Sequence, residues 1–211
     1  MNLEPNSDKY IYILSIDIGI INLAFILLEV NKDYSLNDII WFDLMNITEF
    51  CHLDEESRSK CNISHTKTFA DWMSHVFYLH GELFELCTHI VIERQPPSGH
   101  VAVEQLIFYT FRDKAVLIHP RSVHKFMNWS NEIDYQCRKQ KSEQTLLYRL
   151  ERCNRKYLLE QYLSYERKHD ISDAYIQALF FLKEKMVELP AIRNLGTIQN
   201  YVYVKNTDYI S

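Results

Sequence analysis

The sequence predicts an α/β fold built on a mixed five-stranded sheet with flanking helices. Three observations support this. Three β-rich runs near the N-terminus are joined by connections too short for a crossover, which makes them an antiparallel meander. Two further short apolar strands lie far along the chain, each separated from the strand before it by a helical stretch, the order that favours parallel pairing. Two of the strands end in a carboxylate, and the ends of neighbouring central strands lie side by side.

Taken in order, Tyr10–Asp17 and Leu23–Val30 are strands joined by Ile-Gly-Ile-Ile-Asn, where Gly19 suits a tight connection. A polar loop, Asn31–Asn37, leads to a third strand at Asp38–Leu44. Residues 45–66 are rich in Asp, Glu, Ser, Asn and His and read as a surface loop. Thr66–Leu86 places Phe69, Trp72, Met73, Val76, Phe77, Leu79, Leu83 and Phe84 at helical spacing. Thr88–Glu93 is a short buried-type strand, and Pro96, Pro97 and Gly99 make the following "RQPPSGH" a loop. Val101–Arg112 reads as a helix and Lys114–His119 as the fifth strand, closed by Pro120. Lys141–Tyr165 reads as one long helix and Ser172–Glu188 as another, stopping near Pro190. The tail, with "YVYV" at 201–204, offers an edge strand without an assigned neighbour. Repeats and low-complexity segments are absent from the sequence, so 1–211 is expected to be one domain with its core at about 10–188.

The 211 residues suffice for one sizeable core, and 47% hydrophobic with 24% charged residues excludes a disordered chain. A net charge of −5 excludes a wholly non-specific polycation binder, so any nucleic-acid role must rest on a local patch. Five cysteines without a C-x-x-C pair suit reduced thiols better than a disulfide framework. With a polar N-terminus and no secretory signal, the expected location is cytoplasmic. A membrane span over 11–30 would have to bury Asp17, Asn22 and Glu29, so no membrane association is expected.

Asp17 is the residue that most needs explaining. It stands within "ILSIDIGIINLAFILLEV", where an unpaired charge costs on the order of 3 kcal/mol or more. Glu93 ends a second strand, and "KHDISDAYIQALFFL" adds Asp170 and Asp173, three apart on one helix face if the helix begins at or before Asp170. Small Ala174 would let that helix approach the sheet closely. Taken singly, Asp17 could close a turn, Asp170 could cap a helix and Glu93 could pair with Arg94 or Arg112. Together the four acids would repel one another unless divalent cations held them. All-oxygen ligation selects hard ions, Mg²⁺ with Mn²⁺ as a substitute. Two such ions per site are the arrangement that activates water and stabilises the leaving oxygen in phosphodiester hydrolysis.

These residues resemble the ribonuclease H-like nuclease superfamily, and within it the Holliday-junction resolvases of the poxvirus type, relatives of the bacterial junction resolvases. The resemblance runs from Ile11 to about Lys185. "SIDIGIINLAF" is similar to the first catalytic strand and hairpin, "IVIERQP" to the second catalytic strand, and "HDISDAYIQAL" to the terminal helix. It implies a ribonuclease H-like sheet and metal-binding acids at Asp17, Glu93, Asp170 and Asp173. It also implies paired nicking of four-way DNA junctions, with a role in viral genome concatemer processing and recombination and, for a viral protein, a place in the host cytoplasm. A basic residue near the scissile phosphate belongs to the same pattern; Lys141 in "RKQKSEQ" is the first choice, with Lys139 and Lys125 as alternatives. The alternative substrates are RNA–DNA hybrid and other branched DNA.

Residues 138–168 hold nine Lys or Arg against four Glu, a balance of +5 beside the Asp170 site. The expected DNA-contacting residues are Arg138, Lys139, Lys141, Arg149, Arg152, Arg155 and Lys156, with Lys125 nearby in "SVHKFM". Positions 146, 150, 153 and 157 form an apolar stripe that reads as internal core before it reads as an interface. A homodimer is expected from the near-twofold symmetry of a four-way junction together with this stripe as a seam. Actin-like ATPases also carry Asp-x-Gly in a hairpin, but Ile20 and Ile21 replace the phosphate-cradling Gly and Ser or Thr, so no nucleotide cofactor is expected. Cys51, His52, Cys61 and His65 lack standard zinc-knuckle spacing and read as loop thiols and surface histidines.

Overall fold

The computed structural model describes residues 9–52, 61–129 and 134–188. Five strands, β1 (Tyr10–Asp17), β2 (Leu23–Asn31), β3 (Leu36–Met45), β4 (His89–Glu93) and β5 (Ala115–Ile118), form one sheet in the order β3-β2-β1-β4-β5. β1, β2 and β3 are the expected antiparallel meander, while β4 lies parallel to β1 and β5 parallel to β4. Among the described residues six α-helices accompany them: α1 (Phe69–Leu86), α2 (Val101–Thr110), α3 (Pro120–Phe126), α4 (Tyr135–Leu150), α5 (Lys156–Ser164) and α6 (Lys168–Glu188).

The central strands are near-continuous apolar runs because both faces of the sheet are covered. On one face Ile13, Ile26, Leu28, Phe42 and Val91 pack with Leu146, Leu150, Tyr162, Ala174 and Ala178 of α4, α5 and α6. On the other, Leu14, Ile16, Phe25, Ile90 and Ile92 pack with Met73, Val76, Phe84, Val103 and Ile107 of α1 and α2. Alternation along each strand divides its side chains between these two cores.

The β1–β2 connection is narrow. A Cβ at Gly19 would lie 2.5 Å from the Asn22 carbonyl oxygen. The glycine is therefore required by close approach, since no glycine of the described residues has a positive φ.

Several expectations change. The single helix over Lys141–Tyr165 is two helices: α4 begins earlier because Asp134 caps it, accepting from Cys137 N, and it ends at Leu150. Residues 151–155 break the run, and there Arg155 turns to pair with Asp38 at the start of β3. α6 starts at Lys168, ahead of Ser172, so Asp170 is in its first turn. Pro120 opens α3 at its first turn, with His119 as the cap, where only a stop was expected. The loop after β3 contains a 3-10 turn at Ile47–Cys51, whose Ile47 and Cys51 are buried. Leu146, Leu150 and Cys153 belong to the core and Tyr157 is exposed, so the stripe they form is internal packing. The "YVYV" segment lies outside the described residues.

No helix among the described residues is long and apolar enough to cross a membrane.

Candidate active site

The parallel register of β1 and β4 pairs Ile16 with Ile92, so Asp17 and Glu93 follow side by side at the ends of two central strands. Their carboxyl groups share a hydrogen bond, and Glu93 Oε2 also accepts from Gln95 Nε2 at 3.0 Å. α6 crosses the same end of the sheet. It is fixed there by Gln177, one turn after Asp173, whose Nε2 donates to Ser15 Oγ at 3.2 Å, Ile16 O at 3.2 Å and Val91 O at 3.3 Å. One buried amide thus ties the helix to both strands that present the acids. Ala174 and Ala178, fully buried beside it, permit the approach.

Asp17, Glu93 and Asp173 line a common cavity of about 250 Å³. Arg138, Lys139 and Tyr135 of α4 form another part of its lining, and His124 and Trp129 a third. Asp173 accepts a hydrogen bond from Ser142, which is fully buried in α4. Asp170 does not line the cavity. It is held by Arg167 Nε at 2.9 Å and lies 3.1 Å from His169 Nε2, close enough for its charge to act on both Asp17 and Asp173. Lys139 Nζ is 2.7 Å from His169 Nε2 and 4.2 Å from the centre of the Tyr135 ring, so it sits between the cavity and the Asp170 cluster.

The electrostatics are those of an over-acidic site. Burial raises the Asp17 carboxyl well above the usual range, and the charges of Glu93, Asp173 and Asp170 raise it further. Burial also raises Glu93. Asp173 is pushed up to about 7, mainly by burial and then by Asp170 and Glu93, against the opposing hydrogen bond from Ser142. Such a set of oxygen donors, costly to ionise alone, fits a hard divalent cation, whose charge would remove the repulsion.

The basic residues expected around the site divide into groups. Arg138 and Lys139 reach the cavity, whereas Lys141, the first choice for the basic partner, does not line it. Helical phase is the reason: Tyr135, Arg138 and Lys139 each fall within about 60° of Ser142 around the helix, whereas Lys141 is turned about 100° from it. Lys125 is exposed on α3. Arg149 donates to Asn37 O and Arg155 pairs with Asp38, so both are used to hold helices against β3. Arg152 stacks 3.5 Å above the Tyr148 ring, and Lys156 donates to Glu151 O at 2.9 Å.

Sequence reasoning missed Gln177 and Ser142; each is a polar residue on a face otherwise turned to the core, a signal visible once the helix phase is fixed. It also missed Glu104, buried in α2, which accepts from Gln95 N and so shapes the loop after Glu93.

Comparison with solved structures places the fold. A fowlpox virus resolvase in complex with its substrate Holliday junction DNA aligns with TM-score 0.56 and 15% identity, over 82% of this chain and 98% of that one. The fold is that of the fowlpox virus resolvase. A second structure, the fowlpox virus Holliday junction resolvase, aligns with TM-score 0.54 at 15% identity over 82% of this chain and 99% of that one. A Thermus thermophilus RuvC structure aligns with TM-score 0.47 at 9% identity, over 83% of this chain and 98% of that one. By sequence, no protein-family profile and no curated protein matches the chain.

Proposed function

We propose that the chain is a metal-dependent endonuclease that resolves four-way DNA junctions by paired nicking. The observation that carries this reading is the convergence of Asp17, Glu93 and Asp173 on one cavity, with Asp170 adjacent, in the fold of a resolvase that binds junction DNA. Asp17, Glu93, Asp170 and Asp173 would hold Mg²⁺, or Mn²⁺ in its place, as two ions that supply an activated water and charge stabilisation at the leaving 3′-oxygen.

The chain's own residues do the rest. Arg138 and Lys139, which line the same cavity, would hold the scissile phosphate against the acids. Lys139, rather than Lys141, is the basic residue this geometry favours beside the reacting group. Lys125 on α3 and Arg152 and Lys156 beyond α4 would extend the phosphate track, and Arg149 and Arg155 are left to support the helices. Tyr135 and Trp129, at the cavity, offer ring faces to a base unstacked at the branch point. Gln177 keeps the distance between α6 and the strand ends fixed, so that Asp173 stays in register with Asp17 and Glu93.

A homodimer fits the function, because a junction with near-twofold symmetry must be cut on two strands. A role in recombination or concatemer processing within the cytoplasm goes with this reading, since five cysteines without a C-x-x-C pair suit reduced thiols.

The test is a cleavage panel of a synthetic four-way junction, a linear duplex, a three-way branch and an RNA–DNA hybrid, with Mg²⁺ and with chelator. The reading predicts paired nicks in the four-way junction, dependent on metal. Preferential cutting of the hybrid would replace it with a ribonuclease H activity.

A further inference from the structure

A second cluster of ligand-type side chains lies against α1, on the sheet face opposite α6. Cys61 and His65 precede that helix and His75 belongs to it, and one ligand atom from each lies within 4.8 Å of the other two. Cys61 Sγ is 3.8 Å from His75 Nδ1, and the two imidazole rings are centred 4.4 Å apart. His75 is buried, packed flat against Phe50, and Cys61 and His65 are half-buried.

The backbone sets both tautomers. His65 Nδ1 lies 2.8 Å from the Phe50 carbonyl oxygen, and His75 Nε2 lies 3.2 Å from that of Ser64. A carbonyl oxygen can only accept, so these two nitrogens carry the protons. The lone pairs are therefore on His65 Nε2 and His75 Nδ1. His65 Nε2 is shut from solvent with no hydrogen-bond partner among the described residues. The single thiol proton of Cys61 can serve His75 Nδ1 but not a second acceptor as well. Among the described residues the cluster is one donor short, an arrangement that costs stability unless something else occupies it.

We infer that Cys61, His65 and His75 bind a zinc ion that ties the loop before α1 to the helix. One thiolate and two neutral imidazoles are the donor set zinc prefers, and they differ in kind from the oxygen donors of the carboxylate cavity. Zn–S near 2.3 Å and Zn–N near 2.0–2.1 Å put sulfur and nitrogen about 3.5 Å apart in a tetrahedron. The 3.8 Å found between Cys61 Sγ and His75 Nδ1 needs only a small adjustment. Each histidine donating its other N–H to a backbone carbonyl is the supporting contact that zinc-ligating imidazoles use. Water or a further donor completes the coordination. The sequence disguised the site because its third ligand comes from inside α1, while Cys51 and His52, the neighbours in the chain, are not part of the cluster.

The experiment is Co²⁺ and Zn²⁺ titration of the full chain. Co²⁺ should produce intense visible bands of a tetrahedral ion with near-ultraviolet thiolate charge transfer, and Zn²⁺ should displace both. Asp17→Asn should retain this spectrum, which separates the site from the carboxylates. Cys61→Ser should abolish the charge transfer, and His65→Gln should weaken Zn²⁺ binding by about tenfold or more. Circular dichroism in chelator checks that each variant folds; should Cys61→Ser fail, His65→Gln carries the test. A wild-type spectrum without charge transfer, or Zn²⁺ affinity unchanged in the folded variants, would overturn the inference.

Discussion

Replacing Asp173 by Asn should make the metal-free protein more stable at alkaline pH and leave it nearly unchanged at acid pH. Asp173 is half-buried at the cavity, and its removal from water, followed by the charges of Asp170 and Glu93, pushes its carboxyl from 3.8 to about 7. In the unfolded chain it ionises near its ordinary value. A folded carboxyl with a raised pKa keeps its proton where the unfolded one has lost it, so stability falls as pH rises from about 4 to about 7. At about 1.4 kcal/mol per tenfold change, the full displacement corresponds to roughly 4 kcal/mol, of which roughly 2–3 kcal/mol develops between about pH 5 and pH 8. Asn carries no charge and keeps an oxygen that can accept from Ser142, so the variant should lack this part of the pH dependence. Urea denaturation in chelator across that range measures it. Saturating Mg²⁺ should reverse the trend in wild type, because metal binding requires the ionised carboxylates, and should do less for the variant. Parallel stability curves for wild type and Asp173→Asn in chelator would refute the reasoning.

Other substitutions separate positioning from binding. Gln177→Ala removes three donor contacts and leaves buried acceptors on β1 and β4, so it should cost about 1–3 kcal/mol and slow cleavage more than it weakens junction binding. Arg155→Glu breaks the pair with buried Asp38 and should destabilise by roughly 2–3 kcal/mol in thermal melts, less than a fully buried pair because Arg155 is partly exposed. Arg138→Glu should instead leave stability within about 0.5 kcal/mol, lower junction affinity and flatten its salt dependence, read by titration at several salt concentrations. Sedimentation at micromolar protein should give about twice the 25.3 kDa chain mass, and a monomer that nicks both strands in one encounter would remove the dimer from the account.

The strands were readable because both sheet faces are covered, which leaves apolar runs cleanly bounded by polar loops. Asp17 and Glu93 stood out for the same reason, as charges at the ends of such runs. The spacing of Asp170 and Asp173 predicted a shared helix face, but only Asp173 lines the cavity, while Asp170 is turned to Arg167 and His169. What failed was helix phase and continuity. The α4 start is fixed by the Asp134 cap, and without it Arg138, Lys139 and Lys141 are indistinguishable by composition, although only the first two turn toward the acids. The break between α4 and α5 depends on Arg155 reaching Asp38, 117 residues away, which no local pattern encodes. His75 was hidden in a similar way, since its position in α1 reads as helix interior and its neighbours Cys61 and His65 lie beyond the helix start.

The most direct measurement is single-turnover cleavage of a four-way junction by wild type and Asp17→Asn in Mg²⁺, with junction affinity measured in parallel without a cleaving metal. The account predicts a rate lower by a factor of about 10² or more for the variant, with binding retained or slightly tighter because one carboxylate no longer repels the phosphates. An Asp17→Asn protein that folds, binds the junction and cuts it at the wild-type rate would contradict the assignment of the carboxylate cavity as the catalytic centre.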